Sequence, residues 1–181
     1  MIIVSGLERS GTSLMMQILK DAGFDVLYDD GRKPDIHNPK GYYELDDGKI
    51  ITKLEHNQFD INKYKDSVIK ITAYGIPLIS GNAYTVIYME RDIIEVAESQ
   101  RSMMKGKAQY IAAHNDIELL TKLNRSTKKY MRDNNINYTI INYNKLITRP
   151  NKELEKLSNF LDKDLTKSIR VIDKSLYRNR R

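Results

Sequence analysis

Ile2-Ile3-Val4-Ser5-Gly6-Leu7-Glu8-Arg9-Ser10-Gly11-Thr12-Ser13-Leu14 is the stretch that decides the fold. Ile2–Ser5 is a short apolar run that reads as a buried strand. Gly6–Gly11 reads as a tight loop. Ser13–Ala22 then carries Leu14, Ile18 and Leu19 at helical spacing, with Gly23 where a helix C-cap falls. A strand that enters a helix through such a loop aims the free N–H groups of the first helical turn into the loop. The helix dipole adds to them, and together they form an anion site. Gly6 and Gly11 allow the tight backbone, while Thr12 and Ser13 add hydroxyl donors. Arg9 adds a permanent charge able to hold two phosphate oxygens at once. The Gly6-x4-Gly11 spacing matches a Walker A loop, but Thr12 stands where that loop needs lysine. Without that clamp on the β- and γ-phosphates, ATP or GTP hydrolysis is disfavoured.

Working outward, Val68–Thr72, Thr85–Met89 and Tyr138–Asn142 are β-branched or apolar runs of strand length. Asp92 reads as the N-cap of a helix through about Met104, with Glu95 completing a capping box. Lys107–Asn134 reads as largely helical and is ended by Asn134-Asn135. Further helices are expected at 151–161, with Pro150 at the start, and at 164–172. Residues 28–66 read as long loops with short elements, Ile50–Glu55 being a short helix. The order of elements predicts an α/β domain in three layers, a mainly parallel sheet flanked by helices. Ligands in such sheets sit at the carboxyl ends of the strands, which gathers the first loop and the ends of Val68–Thr72 and Thr85–Met89 around one crevice.

With 181 residues, no repeat and no linker, one domain over 1–181 is expected. The hydrophobic share of 40% and charged share of 30% are those of an ordinary globular protein. The absence of cysteine excludes disulfides, zinc–thiolate and iron–sulfur sites and a cysteine nucleophile. Met1–Val4 is too short for a signal peptide, and no run is long enough for a membrane span, so a cytoplasmic location is expected. Residues 1–120 hold 14 Lys/Arg against 18 Asp/Glu, whereas residues 121–181 hold 16 against 6. The basic final third suits an anionic partner or a solvated helical surface. No aromatic-interleaved basic motif or helix-turn-helix pattern supports nucleic acid as that partner.

Arg9-Ser10-Gly11-Thr12-Ser13 after a buried strand resembles the 5′-phosphosulfate loop of sulfotransferases that use 3′-phosphoadenosine 5′-phosphosulfate (PAPS) as donor. The resemblance implies the P-loop-like sulfotransferase fold, nearer the bacterial, carbohydrate and tyrosine types than the cytosolic type. It also implies that Arg9, Ser10, Gly11, Thr12 and Ser13 hold the donor's phosphosulfate. A second segment resembles the family's 3′-phosphate element: a strand, then Arg91-Asp92, then Ser99 eight positions after the arginine. Read from the residues alone, Arg91 would form a salt bridge with Asp92 or Glu95. The stretch from Tyr143 to Leu161 resembles the family's later amphipathic helix. Some members end in a basic segment that touches the nucleotide, a part that falls here to Arg178. The cytosolic enzymes' closing motif, with its tryptophan, is missing.

Sulfuryl transfer to a hydroxyl needs a base for the acceptor's proton and positive charge where negative charge accumulates. No metal is expected, because arginine, lysine and helix amides can supply that field. Glu44, in Asn38-Pro39-Lys40-Gly41-Tyr42-Tyr43-Glu44, resembles the carboxylate of an Asn-Pro-x-Gly-x-x-Glu segment in bacterial and carbohydrate-type members and is the expected base, with His56 in reserve. His37 and His114 read as surface residues. Lys70, inside Val68-Ile69-Lys70-Ile71-Thr72, must find a partner or point into a polar site, unless it faces solvent from an edge strand. Relatives carry a strand lysine there that contacts the phosphosulfate, usually followed by Asp-Pro, where this chain has Ile71-Thr72. The expectation is a PAPS-dependent transferase whose product is 3′,5′-ADP and whose acceptor is a small-molecule, carbohydrate or peptide hydroxyl. Arg9, Glu44 and Lys70 would serve the chemistry. A nucleotide kinase and a non-catalytic nucleotide or nucleic-acid binding module are the alternatives.

Overall fold

The computed structural model describes residues 1–81, 83–104 and 117–178. Four strands, β1 (Ile2–Gly6), β2 (Val68–Lys70), β3 (Thr85–Glu90) and β4 (Asn137–Asn142), form one sheet in the order β2-β1-β3-β4. Every pairing is parallel, with Ile3 opposite Ile69 and Val86, and Ile87 opposite Thr139. The helices are α1 (Thr12–Asp21), α2 (Ile50–Glu55), α3 (Ile93–Met104), α4 (Ile117–Asp133), α5 (Tyr143–Thr148) and α6 (Pro150–Leu161).

Alternation along the strands divides the core between the two faces of the sheet. Ile3, Ile69, Val86 and Tyr88 pack with residues of α2, α3, α4 and the 3₁₀ turn Ala73–Leu78. Val4, Ile87, Met89 and Ile141 pack with residues of α1, α5 and α6. This is the expected three-layer α/β architecture. The β1 chain leaves toward β2 on one side while β3 lies on the other, so the switch point falls between β1 and β3, beyond their carboxyl ends.

Local chemistry explains the boundaries. α1 closes on a Schellman motif: Gly23, at φ 79, donates to Lys20 O, and the Phe24 amide donates to Leu19 O. α6 starts on Pro150, whose missing N–H is one the first turn leaves unused anyway. Two expectations change, and a third falls partly outside the described residues. The stretch expected as helix at 164–172 is a 3₁₀ turn, Thr166–Val171. The helix expected from Lys107 is described only from Ile117, and the residues before it, His114 among them, lie outside the described part. Asp92 does cap α3, accepting from the amides of Ile94 and Glu95 at 2.9 and 3.1 Å, but Glu95 does not close a capping box. Asn144 Oδ1 takes the Asp92 amide instead, and the Glu95 carboxylate serves Arg91. Tertiary partners outcompeted a local pattern.

Candidate functional site

One cleft opens at the switch point. Its lining includes Arg9, Gly11, Thr12, Ser13, Glu44, Lys70, Arg91, Ser99 and Arg178, all named from the sequence. They come from the β1–α1 loop, the 28–45 segment, the end of β2, the β3–α3 junction, α3 itself and the C-terminal segment. Ser10 is the exception. It is buried at 1% exposure and does not line the cleft, and its amide already donates to Leu7 O. A Cβ at Gly6 would press on the Ser10 hydroxyl, so this serine is packed within the loop rather than turned to the cleft. The reserve base His56 is an exposed residue at the end of α2, does not line the cleft, and its Nδ1 sits 2.7 Å from Thr52 O.

The β1–α1 loop is tightly constrained. Arg9 adopts a left-handed φ of 73, uncommon for a side-chain-bearing residue. Gly11, the N-cap of α1, sits at φ 99, and a Cβ there would penetrate the Tyr143 ring, 2.8 Å from Cε2 and closer still to Cδ2. Glycine is thus required both for its conformation and for the ring lying against it. Ser13 Oγ donates to Tyr42 O at 3.1 Å and accepts from Asn38 at 3.0 Å, tying the loop to the 35–42 strap.

Two arginines face this loop in different states. Arg9 Nε donates to Ser99 Oγ at 3.0 Å and its Nη2 to His37 O at 2.8 Å; both acceptors are neutral. Among the described residues it forms no ion pair, and burial pushes its guanidinium below the usual value. Arg91, in contrast, pairs with Glu95 at 2.9 Å, both nearly fully buried, and its Nη1 donates to Arg9 O at 3.1 Å. The Arg91–Glu95 salt bridge, one of the two pairings open from the residues alone, is therefore present. The guanidinium also lies 4.7 Å from the Tyr143 ring centroid and 5.6 Å from that of Tyr177.

At the β2 side of the cleft, Lys70 is buried and does not face solvent, although β2 is a terminal strand of the sheet. Its ammonium donates to Tyr42 O and pairs with Glu44 Oε1 at 3.0 Å. Burial pushes the lysine below its ordinary value, against the pull of Glu44. Glu44 Oε2 also meets Arg32 at 3.1 Å, and the Arg32 guanidinium stacks 3.5 Å from the centroid of the Tyr42 ring. One carboxylate therefore stands between two cations.

Sequence reading missed His37, which lines the cleft half-buried instead of lying on the surface, and also Asn38, Arg32, Tyr42 and Tyr143. The strap carrying His37 and Asn38 is folded by Asp35, which accepts both of their amides and the Tyr42 hydroxyl, at 2.8–2.9 Å. Asp35 two and three residues ahead of those amides was the available signal, an Asx turn.

Fold and cleft define the class: an α/β protein with a candidate anion site at the switch point of a parallel sheet. A family model described as the sulfotransferase domain matches residues 1–179, and the chain belongs to that family. None of the curated proteins compared matches it. Among solved structures, an unliganded sugar kinase from Janibacter sp. HTCC2649 aligns at 14% identity and a TM-score of 0.43, over 97% of this chain and 96% of that one. Among the described residues, no helix is long and apolar enough to cross a membrane.

Proposed function

We propose that this single domain, residues 1–181, transfers a sulfuryl group from PAPS to an acceptor hydroxyl. The observation that carries the reading is Arg9: a half-buried cation in a strand–loop–helix turn, held only by neutral acceptors among the described residues. Such a charge is costly unless an anion completes it. The donor set around it suits a nucleotide with two anionic ends. Arg9, the free amides at the start of α1, Thr12 and Ser13 would hold the phosphosulfate; Arg91, Ser99 and Arg178 would hold the 3′-phosphate side.

When bound, PAPS supplies an activated sulfur whose bond to the 5′-phosphate oxygen breaks as the acceptor oxygen bonds to it, releasing 3′,5′-ADP. Glu44 takes the acceptor's proton on its carboxylate, whose Oε1 now accepts from Lys70 and whose Oε2 accepts from Arg32. Lys70 places positive charge beside the transferring group, and Arg9 stabilises charge on the departing phosphate. The acceptor is a small-molecule, carbohydrate or peptide hydroxyl reaching the Glu44 side of the cleft.

Titration calorimetry with 3′,5′-ADP tests this. The protein should bind it without magnesium, and Arg9→Ala should weaken binding at least about tenfold, the loss of a charge-assisted contact. Absence of binding, or an unchanged constant in the variant, overturns the reading.

A further inference from the structure

Glu95 lies in the first turn of α3, is 2% exposed, and does not line the cleft, yet it gathers donors from distant parts of the chain. Arg91 Nε reaches its Oε2 at 2.9 Å, Asn144 Nδ2 of α5 reaches the same oxygen at 2.9 Å, and the Tyr177 hydroxyl donates to Oε1 at 2.7 Å. Asn144 Nδ2 also donates to the Tyr177 oxygen at 2.7 Å, which closes the network. Tyr177 is 8% exposed and its ring meets Tyr143 edge-on at 5.7 Å, so the hydroxyl is fixed from both ends.

This arrangement bears on one group in the cleft. Arg91 is turned by Glu95 at Nε and by Arg9 O at Nη1, and flanked by the rings of Tyr143 and Tyr177. A guanidinium recognises phosphate through a planar fork, so its value depends on that plane being held. Glu95 holds it through a carboxylate that is itself held, and among the described residues the Tyr177 hydroxyl is a donor to Oε1. Burial raises the Tyr177 hydroxyl above its ordinary value, as does its bond to Glu95, which keeps it a donor across the neutral range.

We propose that Tyr177 is a positioning residue for recognition of the donor's 3′-phosphate, acting through Glu95 on Arg91 without touching the ligand. The C-terminal segment thereby sets how well the cleft distinguishes a nucleotide with a 3′-phosphate from one without. This rests on the donor reading above, and the test separates the two.

The probes are 3′,5′-ADP and 5′-AMP, titrated into the full chain and into Tyr177→Phe, Arg91→Ala and the double variant, with melting temperatures recorded. Tyr177→Phe keeps the ring and its packing. It should weaken 3′,5′-ADP about tenfold, because Arg91 then meets the phosphate with a plane no longer held in advance. It should leave 5′-AMP within about twofold. On the Arg91→Ala background the same change should have no further effect on 3′,5′-ADP, because the residue it acts through is gone. Equal weakening of both nucleotides, or an additive double variant, overturns the proposal and makes Tyr177 a packing residue only. If Tyr177→Phe folds poorly, Asn144→Asp, which removes a donor to both Glu95 and Tyr177, must show the same selective loss, or the proposal fails. A wild-type protein that binds 3′,5′-ADP no better than 5′-AMP removes the donor reading itself, and the proposal with it.

Discussion

Replacing Gly11 with alanine puts the β1–α1 loop under two separate costs, and Gly81 offers a control for one of them. Both glycines have positive φ, 99 and 80, so an alanine at either costs about 1–2 kcal/mol in backbone strain. Around Gly81, among the described residues other than its chain neighbours, nothing lies within 4 Å of the added methyl. At Gly11 the methyl falls inside the Tyr143 ring, which is itself 7% exposed and wedged between the loop, Arg91 and Tyr177. Overpacking of that kind adds about 1–3 kcal/mol. For a chain of this length each kcal/mol moves the melting temperature by about 2–4 °C. Gly81→Ala should therefore melt about 3–6 °C below wild type, and Gly11→Ala roughly 10 °C below. Differential scanning calorimetry reads both. Because the displaced ring also flanks Arg91, Gly11→Ala should lose affinity for 3′,5′-ADP while Gly81→Ala keeps it. Equal melting temperatures for the two variants would refute the argument, since the ring would then have yielded at no cost.

Two further outcomes follow, one from the Lys70–Glu44 ion pair and one from the hydrogen bonds that Asp35 accepts. Glu44→Ala leaves the Lys70 ammonium, 4% exposed, without its carboxylate and should cost about 3 kcal/mol in urea unfolding; Lys70→Met on that background should restore most of the stability and none of the sulfuryl transfer. At Asp35, burial acts to raise the carboxyl pKa, but hydrogen bonds from Tyr42 and the amides of Asn38 and His37 outweigh it and hold the group below its ordinary 3.8. A depressed folded-state value contributes stability above the unfolded value, lost as pH falls through the folded one. Asp35→Asn should thus be less stable than wild type near neutral pH, by under about 1 kcal/mol for so exposed a group, and the gap should close as pH drops below 3.8; a gap that widens in acid contradicts the assignment.

The loop and the sheet were legible because their signals are local. The run read as a strand over Ile2–Ser5, one residue shorter than β1, and the Arg91-to-Ser99 spacing depend on residues near one another in the chain. The mainly parallel sheet followed from the order of such runs, and the loop reaches Ser99 through Arg9. The sequence-derived strand Val68–Thr72 ends as a strand at Lys70, three residues before the 3₁₀ turn Ala73–Leu78, although Ile71 still donates to Val4 O. What stayed hidden was non-local. Tyr177 meets Glu95 across 82 positions, and no spacing rule joins them. Likewise the partners of Arg9 and Arg178 on the strap are main-chain carbonyls, His37 O and Ile36 O, which carry no residue signature at all. His37 was placed on the surface because prolines and polar neighbours mark a loop; they do not tell which way the loop folds.

The left-handed φ of 73 at Arg9 has a consequence for how this loop can change. Glycine adopts that conformation freely, whereas arginine gives up about 1 kcal/mol to stand there. The most stable version of the turn is therefore one without its cation. Selection for thermal robustness alone would drift toward glycine at this position, so under the function proposed for Arg9 stability and activity pull in opposite directions here.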